Sequence, residues 1–597
     1  MTSIKRIGLV IFLTALGLFL MILLPTRYDI DTSSLQRIEQ LMQNSLGAKP
    51  FSGPLIEELS KLKAEDLGGK FSFIPRLNRI IDATNEQIAQ DNGVSESLFK
   101  QYMAKVMVED GGSFTMTQAS REQANALLPE SMRQIVSDYT GWLIDRPYDS
   151  ESAFQEQAGQ GVQNAINGYL RNLQVQDGDM LDVKFSIVKG AAHGLFWNHK
   201  YAFFFLIIVM GTIGGLIYVY PAFFDGHPGI KHNGIYHKSA TSRGLIGILI
   251  GAFLIGFYIM LYFVPYAITE WIVLFDPIAK WLRGEGAAAD RWFMYGTLYT
   301  LSVIVMGIRM FGKYRHSRYH QVRTASIMFF QTGFAFLIPE LLAKLNAPAL
   351  DMKNAWPLNY SFFFDYNIQN HLSSGNLGIW MIGWGIALTL IGVPLFTYFY
   401  GKRWYCSWVC GCGGLAETLG DPYRQLSDKS LNAWKIERWL IHSVLVFAVV
   451  MTALALYTVF TKSSTVLGLN SYTVRSWYGF GIGAIFAGVV GTGFYPLMGN
   501  RVWCRFGCPL AAYLGLVQRF KSRFRITTNG GQCISCGNCS TYCEMGIDVR
   551  AYAQRGQNIV RSSCVGCGVC AAVCPRGVLS LENLDNTDGS RMDEVRY

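Results

Sequence analysis

Eight stretches of mainly apolar residues, each roughly 18 to 24 long, constrain this chain more than any other feature of its sequence; they begin near Ile7, Tyr201, Gly244, Trp292, Thr324, Gly378, Leu440 and Tyr478. A bilayer offers the backbone no hydrogen-bond partners, so such a run is satisfied there only as a helix that bonds to itself. The expected fold is a mainly α membrane protein with about eight transmembrane helices. Composition agrees, because half of the 597 residues are apolar and only 16% are charged. No small-x-small cleavage site follows Leu24, so residues 1–24 read as a retained N-terminal anchor and not as a removed leader.

Charge orients the spans. The segments Lys231 to Arg243, Lys313 to Arg323, Lys402 to Arg424 and everything after Arg501 are basic and alternate with loops poor in Lys and Arg. Basic loops stay in the cytoplasm, which puts both termini there, in the inner membrane of a bacterium, with residues 25–199 on the periplasmic side. That exported stretch holds 16 Lys/Arg against 23 Asp/Glu, so the net charge of +10 comes from the rest of the chain. Because the positive charge sits beside spans, membrane lipid is the expected partner and nucleic acid is not. The division that follows is an anchor at 1–24, a mostly helical soluble domain at 25–199, a transmembrane bundle at 200–500 and a C-terminal α+β domain at 501–590.

All thirteen cysteines lie after residue 400, on the side that keeps thiols reduced, so they point to metal or redox chemistry and not to disulfides. Two runs, QCISCGNCSTYCEMG and SSCVGCGVCAAVCPRG, each have the spacing C-x2-C-x2-C-x3-C. Two-residue spacings let one loop wrap three corners of a cubic iron–sulfur cluster while the fourth cysteine reaches across to the other cluster. That rule gives one 4Fe-4S cluster to Cys533, Cys536, Cys539 and Cys574, and a second to Cys543, Cys564, Cys567 and Cys570. A pair of zinc ribbons also uses C-x2-C pairs, but four cysteines per run and the Cys574-Pro575 ending weigh against zinc. Glu544 stands where the first run should have proline.

The other five cysteines fall in a repeat. GKRWYCSWVCGCGGL (401–415) and GNRVWCRFGCPLAAY (499–513) share Gly-x-Arg-x-aromatic-Cys-x3-Cys, and each follows an apolar stretch. The repeat delivers Cys406, Cys410, Cys504 and Cys508 to one depth at the cytoplasmic edge. Four thiolates suit a third iron–sulfur cluster; they equally suit redox thiols or a copper site, since soft thiolates select Cu(I), or small buried side chains. Cys412 is an alternative to Cys410.

Two C-x3-C motifs at membrane edges ahead of a twin-cluster domain resemble the membrane polyferredoxin family, over roughly residues 320–585. Its branches include the quinol-oxidising membrane subunit of periplasmic nitrate reductase systems, the regulator-like protein needed for nitrous oxide reductase and a copper-reducing oxidase-assembly protein. The large exported domain looks most like the nitrous oxide branch. The family motif is C-x3-C-P, which Cys508-Pro509 obeys and Cys410-Gly411 does not. That branch carries a flavin on a threonine in a Ser/Thr-Gly-Ala-Thr type stretch. Here GGSFTMTQAS (111–120) is a poor match, so covalent FMN is not expected.

Residues 25–199 show helix-like apolar spacing, as in ESLFKQYMAKVM and ESMRQIVSDYTGWLI, with an Asp-Asn-Gly turn at 91–93 and no metal motif. Among the histidines, His316 and His320 share a helix face in a basic loop expected to be solvated and lipid-facing, and His227, His232 and His237 match no helical face. His442 lies inside a span at the depth of the C-x3-C pairs and is the candidate membrane site, as a partner for a cluster sulfur or a quinone carbonyl. Glu340 is the comparable candidate for a quinol proton acceptor. The reading is an integral membrane iron–sulfur electron carrier linking cytoplasmic-side clusters to a membrane quinone or a respiratory partner; its rivals are a metal-reducing assembly factor and a redox-sensing signalling protein.

Overall fold

The computed structural model describes residues 2–583, apart from 64, 66, 93–95, 111, 230, 231, 349, 462 and 467. The chain divides into two compact units, Met1–Leu20 with Tyr201–Phe263 and Trp271–Tyr597, and Met21–Lys200 with Val264–Glu270.

Seven helices of the first unit are long and apolar enough to cross a membrane: Ser3–Met21, Lys200–Phe223, Leu245–Phe263, Arg291–Lys313, Arg318–Lys344, Asn376–Tyr400 and Leu431–Thr461. The eighth apolar stretch is also helical, running through Ser471–Tyr478, Gly479–Val490 and Gly491–Gly493. Glycines at 479, 481, 483, 488, 491 and 493 dilute its apolar character, and it is not among the seven. Small residues set close helix crossings here. A Cβ on Gly8 would meet the Tyr218 amide nitrogen at 2.5 Å, and one on Gly214 would meet the Phe12 nitrogen at 2.7 Å, so these two helices approach backbone to backbone.

The cysteine segments sit between and after the later spans. Short helices Arg403–Cys406 and Gly411–Glu417 and the turn Asp421–Leu426 join Asn376–Tyr400 to Leu431–Thr461. Beyond the glycine-rich helix come the turn Trp503–Gly507 and the helix Pro509–Lys521. The strand Phe524–Thr528 then pairs antiparallel with Leu579–Asn583, placing Phe524 opposite Asn583 and Thr528 opposite Leu579. One continuous buried core holds Phe524, Ile526 and Leu579 from these strands together with Cys406, Cys410, Cys504, Cys508, Cys539, Cys564 and Cys570.

The second unit is mostly helical. The helices Thr32–Leu46, Lys70–Asp91 and Met180–Ala191 bury Ile38, Leu77 and Ile187 in one core. The helices Glu96–Val106, Glu130–Thr140 and Glu151–Arg171 bury Tyr102, Met132 and Phe154 in another. In the stretch from Ser113, Ser113–Met116 pairs with Met107–Asp110, and Thr117 caps the helix Gln118–Asn125 by accepting the Ser120 amide. Gly93 of the Asp-Asn-Gly turn, Gly111 and residues 584–590 lie outside the described residues.

Candidate functional site

Each C-x2-C-x2-C-x3-C run folds as a tight loop around a short helix, and the two loops repeat one backbone. Ser535, Gly537 and Gly546 of the first run take left-handed conformations, as do Gly566, Gly568 and Gly577 at the matching positions of the second. Five of the six are glycine because a Cβ disfavours that region. Gly537 and Gly568 open the helices Asn538–Thr541 and Val569–Ala572.

The eight cysteines surround two cavities. One is lined by Cys533, Cys536, Cys539 and Cys574; the other is lined by Cys543, Cys564, Cys567 and Cys570. Each hollow thus takes three cysteines from one run and the last from the other. Burial pushes the Cys539 and Cys564 thiols up to about 11. Thiols packed this way ionise together only around a cationic core, and the crossed sharing of the fourth cysteine between two runs suits a pair of iron–sulfur cores better than two separate zinc ribbons.

The membrane-edge repeat is equally visible in three dimensions. Gly401 and Gly499 open the two copies with left-handed backbones. The Cys410 amide donates to the Tyr405 carbonyl at 2.8 Å, and the Cys508 amide to the Trp503 carbonyl at 2.9 Å. Cys410 caps the helix Gly411–Glu417 as Cys508 caps Pro509–Lys521. Gly411 therefore occupies the first helical position, where Pro509 stands in the other copy and where proline is well tolerated. A Cβ there would come 3.1 Å from Gln331 Oε1, so this copy has little room for a ring. Cys406, Cys410, Cys504 and Cys508 are all buried and in the same core, whereas Cys412 is exposed. Burial pushes the Cys406 thiol up to about 12. The neighbouring Cys412 thiol draws that of Cys410 below its ordinary value.

Between the second cavity and these four thiols lies a buried charge network. Arg501 pairs with Glu417 at 2.7 Å and with Glu544 at 3.0 Å; Arg424 pairs with Glu544 at 2.6 Å and also with Glu417; Arg323 pairs with Glu417 at 3.0 Å. All five side chains are at most 1% exposed. Arg501 Nη1 also donates to the Cys406 carbonyl at 3.1 Å and lies 3.6 Å from Cys504 Sγ. On the other side, Arg323 donates to the Cys567 carbonyl. Burial opposes ionisation of Glu417, but Arg323, Arg424 and Arg501 outweigh it and hold the carboxylate well below its usual range. Neutral side chains complete the clasp: Ser407 Oγ donates to the Val565 carbonyl and Tyr319 Oη to that of Gly566, both at 2.8 Å, and Gln518 Nε2 donates to the Cys564 carbonyl at 2.9 Å.

This network was not read from the sequence, although one member left a trace: Glu544 is the residue standing in place of proline. The histidines end up elsewhere. His442 Nδ1 bonds the carbonyl of Arg438 in its own helix at 2.6 Å. His320, expected to be solvated, is 1% exposed, because its ring stacks on Tyr314 and its Nδ1 pairs with Ser317 Oγ. His316 is exposed, with its ring 4.1 Å from that of His227. Glu340 is paired with Arg283.

Comparison with known proteins agrees with the cysteine geometry. Residues 525–575 match the family described as 4Fe-4S dicluster domain, and the family described as 4Fe-4S binding domain matches twice, at 382–430 and 479–527, once over each copy of the membrane-edge repeat. The chain is 30% identical over 157 residues to "Putative electron transport protein YccM" of Escherichia coli (strain K12), covering 25% of this chain and 43% of that one. It is 30% identical over 190 residues to "Methylamine utilization ferredoxin-type protein MauN" of Paracoccus denitrificans (strain Pd 1222), covering 30% of this chain and 63% of that one. The chain therefore spans between two fifths and two thirds of the length of these relatives. No solved structure gives a significant match. Ferredoxin-type 4Fe-4S domains and electron-transport relatives over the cysteine-bearing half support a membrane polyferredoxin reading of that part of the chain.

Proposed function

We propose that this chain is an integral membrane electron carrier with two 4Fe-4S clusters in its C-terminal domain, one on Cys533, Cys536, Cys539 and Cys574 and one on Cys543, Cys564, Cys567 and Cys570. The observation that carries the reading is the crossed partition of the two runs between two cavities. A third cluster on Cys406, Cys410, Cys504 and Cys508 is supported by their common burial and by the twofold match to a 4Fe-4S binding domain. Cys410, and not Cys412, partners Cys406 in this reading, because Cys410 repeats the backbone role of Cys508. Electrons pass between these clusters and a membrane quinone or a respiratory partner. The clusters supply one-electron redox chemistry; the chain supplies thiolates, burial and the spacing between sites.

The Ser471–Gly493 helix serves as an eighth span, residues 25–199 face the periplasm, and the C-terminal domain faces the cytoplasm of a bacterial inner membrane. Iron and sulfide quantification with EPR, on wild type and on a Cys406→Ser, Cys504→Ser double variant, tests the proposal. At about four irons per cluster, the expected contents are about twelve and about eight. Eight irons in both proteins would remove the third cluster, and none in either would remove the whole reading.

The common burial of Cys406, Cys410, Cys504 and Cys508 also fits one second reading, in which the membrane-edge thiols bind and reduce copper. It predicts copper that is substoichiometric, exchangeable and lost in the Cys406→Ser, Cys504→Ser double variant.

A further inference from the structure

The two cavities of the C-terminal domain differ in what surrounds them. The second is clasped by Tyr319, Arg323, Ser407 and Gln518 from the segments that adjoin the spans. The first opens to the surface: Cys536 is exposed, and the neighbouring Ile534 is 55% exposed. Ile534 thus adds one apolar side chain to a surface whose character is set by its charges.

The rim of this opening is cationic. Arg550 and Arg576 both border the first cavity and are exposed, and Arg555 is exposed one turn beyond Arg550. Among the described residues, no carboxylate pairs with Arg550 or Arg576. The stretch from Asn529 to Val578 contains just two acids. Glu544 is buried in its arginine network, and Asp548 accepts the Ser540 hydroxyl at 2.7 Å. Arg561 of the same stretch is turned away over the Trp434 ring. What remains outward is a row of guanidinium groups at the mouth of the site, a surface electrostatically complementary to an acidic protein.

We infer that this face is the docking surface for a small acidic electron-carrier protein, which exchanges electrons one at a time with the site at Cys533, Cys536, Cys539 and Cys574. The inference rests on the proposed cluster there. In each exchange the reduced carrier loses one electron and the cluster gains one, with no bond made or broken and no proton moved. Carboxylates on the carrier pair with Arg550, Arg555 and Arg576 and steer the encounter; Ile534 gives the short-lived complex its apolar contact. The second site, being enclosed, then relays to the membrane-edge thiols.

The test uses full-length protein in detergent with its clusters intact, a flavodoxin of acidic pI as the protein reductant and reduced methyl viologen as a small dye. Cluster bleaching is followed by stopped flow. With flavodoxin, the wild-type rate is expected to fall by about tenfold or more between about 50 and 500 mM salt. The Arg550→Glu, Arg576→Glu variant is expected to lose about tenfold at low salt, and Arg550→Gln, Arg576→Gln less, while viologen bleaching and iron content hold. Flavodoxin rates that ignore both salt and these variants, with viologen bleaching intact, overturn the docking inference alone. Protein with no iron and no bleaching by viologen overturns the electron-carrier reading and the inference with it. A third arm removes residues 584–597, which carry Asp585, Asp588, Asp593 and Glu594. If flavodoxin couples only to that shortened chain, the face belongs to the chain's own acidic tail and the carrier assignment is wrong.

Discussion

In the first cysteine run Ser535, Gly537 and Gly546 turn left-handed; in the second Gly566, Gly568 and Gly577 do so at the same positions. The surroundings share nothing comparable. A Cβ on Gly537 would meet no atom within 4 Å, whereas one on Gly568 would lie 2.8 Å from the Tyr319 ring, and one on Gly566 would lie 2.6 Å from Arg403 Cβ. The backbone repeat serves the ligands, and each loop does that job identically. What each site can reach is set by side chains from distant segments, which enclose one site and leave the other open: a Cβ on Gly546, beside Cys543 of the second site, would meet the Asp428 carbonyl at 2.3 Å, whereas one on Gly577, beside Cys574 of the first, would meet nothing within 4 Å.

That contrast can be broken at several points. The largest effect is expected at Arg424, whose guanidinium neutralises Asp421, Glu417 and Glu544 with all four side chains buried. Arg424→Ala takes one buried partner from each of the three carboxylates, leaving them to Arg323, Arg501, Lys313 and Arg309, and should cost about 3–5 kcal/mol. Thermal melts in detergent, read by loss of cluster absorbance, should show the second site failing first. Simultaneous loss of both sites would mean that the network stabilises the C-terminal domain as a whole.

Gly568→Ala comes next. The left-handed backbone costs about 1–2 kcal/mol in any L residue, and crowding against Tyr319 and Leu581 adds about 1–3 kcal/mol. Gly537→Ala incurs only the backbone cost, so the two alanine variants should melt apart by the crowding difference; equal melting would show that the clasp yields freely. Ser535→Gly should run the other way and stabilise the first site by about 1 kcal/mol, because Ser535 already takes a left-handed backbone at φ 58°. The smallest effect belongs to Ile534→Ser, which removes an exposed side chain and should change stability by less than about 0.5 kcal/mol while slowing exchange with an acidic carrier.

Much of the site was legible in the sequence. Cysteine spacing is short-range information: two intervening residues fix how far one loop can carry three sulfurs, so the grouping of the cysteines around two cavities was legible from positions 533–574 alone. The membrane-edge repeat was legible for the same reason, since Gly401 and Gly499 mark one turn in two places. The basic segments were legible only in part. Arg323, Lys402, Arg424 and Arg501 counted towards topology as headgroup-facing charges, yet each is at most 1% exposed. Charge counting reports how many cations a segment holds and nothing about whether a carboxylate far along the chain will meet them.

His320 and Glu544 make the same point from opposite directions. His320 sits in the basic run KYRHSRYHQVR and is buried by Tyr314 from the preceding helix. Glu544 replaces an expected proline beside a cysteine, and its meaning rests on Arg424, 120 positions earlier, and Arg501.

By itself, then, the sequence determined the elements whose physics is local: apolar runs that must be helices in lipid, glycines where the backbone turns left-handed, and thiols spaced to wrap a cluster. Tertiary structure alone decided which cavity is enclosed and which is open, that Cys410 and not Cys412 takes the backbone place of Cys508, and that Glu417 and Glu544 are shared among Arg323, Arg424 and Arg501. Those outcomes depend on desolvation and on pairing between segments far apart in the chain, and the energy of a buried charge is fixed only by the groups that surround it.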